Sequence, residues 1–313
     1  MTTPPKNLTG SFFPEQIDNR FDIVLPFHLE KSEIRGRLVR LDEAMKIIIQ
    51  QHDYPELVNH YLGQAAALSL AIINCFKFDG KFTLQINGDG PLRLMVIDAN
   101  SKGHLRACAR FNEENLKKLT PEDQKKLHHV FGKANMVMTL DPEVSTESYQ
   151  GVVELMGTSL AGSANHFFKQ SEQLETGIIA VSSQDPGTLA SAALMIQRLP
   201  LGTDITPEEK ERLDDRWIHA LSLIGSATKK ELLDPALSNR DILFRLFWQE
   251  GVRVHTSKPY EAHCRCSTEI IKEMLNSFTA DDRHDMILDD HIEVTCEFCG
   301  KSYTFTENEF EVN

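Results

Sequence analysis

Cys264, Cys266, Cys296 and Cys299 are four of the six cysteines of this chain, and they fall in two close pairs near its C-terminus. Arg265 alone separates the first pair, Glu297 and Phe298 separate the second, and 29 residues lie between the pairs. Two close pairs a few dozen residues apart is the spacing of a four-thiolate zinc site. His255, His263, His284 and His291 are spare candidate ligands, although four thiols need no help.

The one-residue gap is the unusual feature. In an extended chain, residues i and i+2 point the same way, with Cα atoms about 6.5–7 Å apart, at the far edge of the disulfide range. Zinc with Zn–S near about 2.3 Å holds its sulfurs about 3.8 Å apart, whereas a disulfide demands about 2.05 Å. Cys264 and Cys266 therefore suit a metal better than each other, and a bond between them would be strained and easily reduced again. Cys296 and Cys299 can join more readily. Such a site can act as a reversible switch, zinc-bound when reduced, metal-free and locally unfolded when oxidised. Two other readings stay open at this point. One is a purely structural zinc knuckle that never changes; the other is a thiol-disulfide oxidoreductase, which would share the C-x-x-C pair.

The elements around the cysteines fit a small metal-held unit. "STEIIKEMLNSF" opens with a Ser/Thr cap and sets Ile270, Ile271, Met274 and Leu275 on a helical face, and "ADDRHDMILDDHIEVTC" offers a second short helix and then a strand. A unit this small has little core, so metal must supply much of its folding energy.

The rest of the chain must position that unit. The sequence has 313 residues, 41% hydrophobic and 25% charged, enough for two domains and a sizeable core. Strands alternate with helices without strict βαβ order, which predicts an α+β fold. Residues 1–17 hold three prolines and no periodicity, and read as a flexible tail. "RGRLVRLDEAMKIIIQQHDYP" reads as a strand leading into a helix, and "PELVNHYLGQAAALSLAIINCFKF" as a long buried helix. "KFTLQINGDGPLRLMVID" reads as a hairpin, with Phe82, Leu84 and Ile86 on one face and Leu92, Leu94 and Val96 on the matching one. "HLRACARF", "NMVMTLDP", "SYQGVVELMG" and "ETGIIAVSS" read as strands. "TSLAGSANHFFKQSEQL" and "DPGTLASAALMIQRLP" read as helices. An α+β core domain is thus expected over 18–202.

From Thr206 the chain becomes a series of short charged helices. Thr206 with Glu209, Thr228 with Glu231 and Ser238 with Asp241 repeat a capping-box signature, and Pro207 suits a first helical position. We expect a helical linker over 203–257 and a zinc-binding unit over 258–313. Within the linker, Ile242, Leu243, Phe244, Leu246, Phe247 and Trp248 form an apolar cluster that would be adhesive to unfolded chains if released, or would pack on the core domain at rest.

Charge and motif exclude several functions. The net charge is −13, and Lys258–Asn313 carries 5 basic against 13 acidic residues, the most acidic part of the chain. Four thiolates around one divalent ion add to that, so a nucleic-acid ribbon is disfavoured. No apolar run approaches the ~20 residues of a membrane span, and the N-terminal stretch lacks a secretory pattern, so a cytoplasmic address is expected. "GTSLAGSA" is a near miss for a phosphate loop: Gly157 and Gly162 are spaced correctly, but Ser163 and Ala164 stand where Lys-Ser/Thr is required, so ATP hydrolysis by that route is not expected. No G-x-S-x-G elbow is present. His128, His129 and His166 read as surface or capped histidines, and Cys75 and Cys108 as inert core.

The motif Cys264-x-Cys266, the 29-residue gap and Cys296-Glu-Phe-Cys299-Gly-Lys-x-Tyr303-x-Phe305 together resemble the C-terminal redox switch of the heat-shock protein 33 family of bacterial chaperones. "HDYPELV", "CFKFDGKFTLQINGDGP", "ARF" and "YQGVVEL…SLA…FFKQSEQLET" are similar to that family's N-terminal domain, so the resemblance runs from about Arg20 to the end. It implies an ATP-independent holdase rather than an enzyme. Reduced, Cys264, Cys266, Cys296 and Cys299 would hold one zinc ion and keep the chaperone off. Oxidation, typically with heat, would pair Cys264 with Cys266 and Cys296 with Cys299 and release zinc. The linker would then unfold, and a homodimer would bind unfolding client proteins. The extra N-terminal tail and "NHYLGQ", where a Glu is more usual, depart from the family without touching the switch.

Overall fold

The computed structural model describes residues 21–76, 79–144, 147–183, 189–200, 205–306 and 309–310; the tail read over 1–17 lies outside them. The fold is α+β, built from two six-stranded sheets with one helix between them. The first sheet contains β1 (Ile23–Leu29), β2 (Ile34–Leu41), β8 (Thr176–Ser182), β9 (Ser191–Arg198), β10 (Val252–Val254) and β11 (Lys258–Pro259). Its order is β10-β1-β2-β9-β8, with β11 also pairing β1. The second contains β3 (Gly80–Gly88), β4 (Leu92–Asn100), β5 (His104–Phe111), β6 (Ala134–Pro142), β7 (Tyr149–Glu154) and β12 (Glu261–Ala262), in the order β12-β5-β4-β3-β6-β7. All its pairings are antiparallel except β12 with β5.

Among the helices, α1 (Glu43–Gln50) precedes α2 (Glu56–Ile73), the long buried helix expected from its apolar periodicity. It packs between the sheets, touching strands of both, so it is buried on nearly every side. Helix α5 (Leu160–Gln170) packs on β7 of the second sheet and β8 of the first, and α3 (Glu113–Lys117) and α4 (Leu127–Val130) lie between β5 and β6 in the chain. The principal core joins Val39, Leu41 and Met195 of the first sheet to Phe82, Leu84 and Met95 of the second across α2.

The opposite face of the first sheet is covered too. Helices α6 (Pro207–Ser226), α7 (Lys229–Leu233) and α8 (Asn239–Phe247) bury Trp217, Ile224, Leu243 and Phe247 against Leu25, Phe27, Leu38 and Leu194. All three expected capping boxes form. α6 has 20 residues, longer than the short helices expected there.

Covering both faces explains one correction. "DPGTLASAALMIQRLP", read as a helix, contains strand β9 over Ser191–Arg198. A strand buried on both faces loses its alternation and becomes a continuous apolar run, which periodicity cannot tell from a buried helix. A second correction concerns the hairpin. The register shifts between Leu92 and Leu94, so Met95 and Ile97 join Leu92 and the inward face of β3, while Leu94 and Val96 are only half-buried. A bulge moves every later side chain to the other face.

Arg40 of β2 ties the helical layer to the sheet. It is fully buried. Its Nε donates to the Leu232 carbonyl at 3.0 Å, Nη2 to Asp234 O at 2.6 Å, and Nη1 to Leu237 O and Asn239 Oδ1 at 2.8 and 3.2 Å. These acceptors line the α7–α8 turn, so one guanidinium satisfies carbonyls that a helix end would otherwise leave unpaired. Burial lowers its pKa to about 10, leaving it charged at neutral pH.

The thiol unit is small. Helices α9 (Thr268–Asn276) and α10 (Ala280–Asp285) and the hairpin β13 (Ile292–Thr295) and β14 (Ser302–Phe305) enclose Ile271, Leu275, Ile292, Tyr303, Phe305 and Phe310.

Candidate metal and redox centre

The four cysteines meet at one point. Cys264 Sγ lies 3.4 Å from Cys266 and 3.7 Å from Cys296, and Cys266 Sγ lies 3.3 Å from Cys299. These separations are close to the spacing of about 3.8 Å that a tetrahedral thiolate site requires. Four convergent sulfurs are a donor set that can bind a metal ion, and all four are half-buried thiols. None of the spare histidines shares this cluster among the described residues.

Local structure accounts for the convergence. Cys264 and Cys266 sit on extended chain just before the Ser267 cap of α9, so both side chains face one way and Arg265 the other. Cys296 and Cys299 sit in the turn joining β13 to β14, closed by Gly300 N–H donating to Cys296 O at 2.8 Å. Gly300 takes φ +68°, and a Cβ there would come within 2.9 Å of the Gln51 carbonyl, so only glycine fits this turn against the core. Tyr303 Oη donates to Cys266 Sγ at 3.1 Å. Burial pushes the Cys266 thiol up, but hydrogen bonds from Tyr303 and the other cysteines outweigh it and bring it down to about 7. Burial pushes Cys299 up to about 12. One low and one high partner is what four thiols crowded together must show, because the first thiolate formed discourages the next.

Arg265 answers why the first pair is spaced by one residue. Its Nη2 reaches Asp98 Oδ2 of β4 at 3.0 Å, so the residue between the sulfurs anchors the site to the second sheet. Asp98 is nearly buried and also pairs with Arg106 of β5 at 2.7 Å. Arg106 lies 3.9 Å over the Phe298 ring and its Nη1 is 3.9 Å from Cys264 Sγ. Arg110 pairs with Glu297 at 2.5 Å, and His52 Nε2 is 3.2 Å from the Phe298 carbonyl. The thiol unit thus rests on β4, β5 and the α1–α2 turn through mostly polar contacts.

A family profile described as Hsp33 protein matches residues 22–306. The chain belongs to the Hsp33 family. It is similar to the 33 kDa chaperonin of Caulobacter vibrioides, 35% identical over 288 residues that make up 90% of this chain and 94% of that one. The 33 kDa chaperonin of Proteus mirabilis is 32% identical over 289 residues, 92% of this chain and 94% of the relative. The crystal structure of the 33 kDa chaperonin (heat shock protein 33 homolog) from Thermotoga maritima superposes with a TM-score of 0.71 at 19% identity, covering 92% of this chain and 96% of that one, and so shares the fold.

The apolar linker cluster is divided in this Hsp33-family chain. Ile242, Leu243 and Phe247 are buried in the core beneath the helical layer, Phe244 and Leu246 are half-buried, and Trp248 is exposed. The two remaining cysteines lie apart from the site: burial pushes Cys108 up to about 12 and raises Cys75. The near-miss phosphate loop is a helix start, where Ser159 Oγ accepts the Gly162 N–H at 3.1 Å and Ser163 bonds Met156. Asp98, Arg106, Arg110 and His52 carried no signal before the fold was known. Tyr303 stood inside the cysteine motif and could have been singled out as a sulfur donor. No described helix is long and apolar enough to cross a membrane.

Proposed function

We propose that the protein is a redox-regulated, ATP-independent holdase chaperone that holds one zinc ion on Cys264, Cys266, Cys296 and Cys299 when reduced. The observation that carries this reading is the path of the chain between the helical layer and the thiols. α8 is followed by β10 and β11, both paired to β1, then by β12, paired to β5, and then at once by Cys264. The strands are three, two and two residues long. So few ladder bonds depend on a fixed thiol unit at their end.

Bound zinc would cross-link the two cysteine pairs across α9 and α10 and supply folding energy that six core residues do not. Oxidation by a peroxide-class oxidant joins Cys264 to Cys266 and Cys296 to Cys299. Each pair of thiolates gives up two electrons as its S–S bond forms, and one peroxide per disulfide takes those electrons with two protons from solvent and becomes two waters. The thiolates are then no longer available as ligands, and zinc leaves. The unit loosens its grip on Asp98, Arg106 and Arg110, and β12, β11 and β10 unpair in turn. The helical layer then frays, and Ile242, Leu243, Phe244, Leu246, Phe247 and Trp248 are presented to unfolding clients or to a second copy as a homodimer. A reducing cytoplasmic compartment suits a switch that rests in its thiol form.

Zinc release measures this directly. Reduced protein dialysed into metal-free buffer should yield one equivalent to a chromogenic chelator only after peroxide with mild heat, recover it with dithiothreitol and zinc, and suppress client aggregation only in the oxidised form. Zinc that stays bound through oxidation would leave a structural knuckle; no zinc at all would point to a dithiol oxidoreductase.

A further inference from the structure

We propose that His104, Glu261 and His263 form a second metal site, separate from the four thiols, for an exchangeable divalent ion of the zinc class. Their ligand atoms lie within 4.8 Å of one another. The topology makes the cluster: β12 runs parallel to β5 with Glu261 opposite His104, and His263, two residues on, falls on the same face as Glu261. The backbone is fixed on both sides, with Glu261 N donating to Gly103 O at 2.8 Å and His263 N to Leu105 O at 2.9 Å. The two imidazoles stack with centroids 4.1 Å apart, and His104 Nε2 is 3.6 Å from Glu261 Oε1. Asn100 Oδ1 accepts the His104 backbone N–H at 3.0 Å, and its amide nitrogen is 3.4 Å from Nδ1, which leaves Nε2 turned toward the carboxylate.

Two imidazoles and a carboxylate suit borderline divalent ions, and with three protein donors the remaining positions fall to water. His104 is half-buried, while Glu261 and His263 are exposed, so the ion exchanges with solvent. The cations nearby are already paired: Arg106 and Arg265 with Asp98, Lys81 with Asp141. β5 belongs to the second sheet, and His263 immediately precedes Cys264. An ion at this site therefore ties the strand entering the thiol unit to the sheet beneath it while β12 stays paired to β5.

The test uses the reduced full chain dialysed against buffered zinc chloride, with metal counted by elemental analysis. Two ions per chain are expected, one released only by a thiol-specific mercurial and one removed by dialysis into metal-free buffer. His104→Asn with His263→Asn should lose the dialysable ion and keep the mercurial-released one. Glu261→Gln, on an exposed side chain, should weaken the dialysable ion by at least about tenfold, the loss that even an outer-shell partner carries. Absence of a dialysable ion in the unaltered chain, or its persistence in both variants, overturns the assignment. Because the mercurial-released ion is counted separately, a chain holding only the dialysable ion would uphold this site while sinking the four-thiol reading.

Discussion

The helical layer on the first sheet and the thiol unit on the second are held by different chemistry. The helical layer buries Trp217, Ile224, Leu243 and Phe247 in a continuous apolar core, with Arg40 as a deep polar anchor. The thiol unit has six buried apolar residues of its own and meets the second sheet and the α1–α2 turn through Asp98, Arg106, Arg110, Arg265 and His52. Apolar contact is insensitive to redox state; a unit organised around sulfur is not. In the proposed mechanism the chemically labile contact is the thiol unit, and the surface offered to clients lies in the helical layer that precedes it in the chain.

The largest test removes the metal ligands. Cys264→Ser with Cys266→Ser should abolish retention of the thiol-bound ion and, since structural zinc supplies roughly 10–16 kcal/mol in small domains, leave the chain beyond Ala262 open to limited proteolysis while the two-sheet core resists. A resistant small unit would mean that its own apolar core suffices, and the contrast would fail. Next, Phe247→Ala empties a buried site that packs on Phe27 with centroids 5.5 Å apart. It should cost about 3–5 kcal/mol and speed hydrogen exchange through α8 and β10 but not through the second sheet.

Arg40→Met should cost about 3 kcal/mol, because the Leu232 and Leu237 carbonyls lose their guanidinium donor in a buried turn and Asp234 O keeps only the Leu237 N–H. It undocks the helical layer without touching a thiol, so the reduced protein should already suppress client aggregation. A silent reduced variant would place the client surface elsewhere.

Acid sharpens the comparison from another side. His60 of α2 lies against the first sheet, 2.7 Å from Ser182 Oγ, and burial, aided by Lys229, lowers its pKa to about 4. Because the unfolded chain takes up this proton more readily, the stability is fully present above about pH 6.5 and is lost as the pH falls toward 4. The loss reaches roughly 3 kcal/mol. Denaturant melts of the unaltered chain and His60→Phe between pH 7 and 4 should diverge by that amount. The smallest effect is expected of Asp98→Asn, which keeps the shape but removes the charge shared by Arg106 and Arg265. It should loosen the thiol unit by about 2 kcal/mol and speed peroxide-driven metal release, leaving the helical layer unchanged.

The cysteine centre was legible before any fold was known, because four residues of one rare type at two close spacings admit few uses. The capping boxes at Thr206, Thr228 and Ser238 were legible for a similar reason: they are local, and satisfy backbone groups within three residues. β9 was not, because its apolar run reflects a second covering layer that no window of its own residues contains. Nor was the half-burial of Leu94, which depends on a bulge against β5.

Sequence alone therefore determined which residues could gather around a metal, where the three capped helices begin, and how acidic the thiol-bearing end is. Tertiary structure alone decided that Arg265 faces Asp98, that Arg40 closes a turn almost two hundred residues away, and that His104 meets Glu261 and His263. The reason is distance along the chain. Spacing motifs and caps are set by neighbours and can be read from them, whereas docking contacts join residues from remote segments and exist only once the sheets have formed.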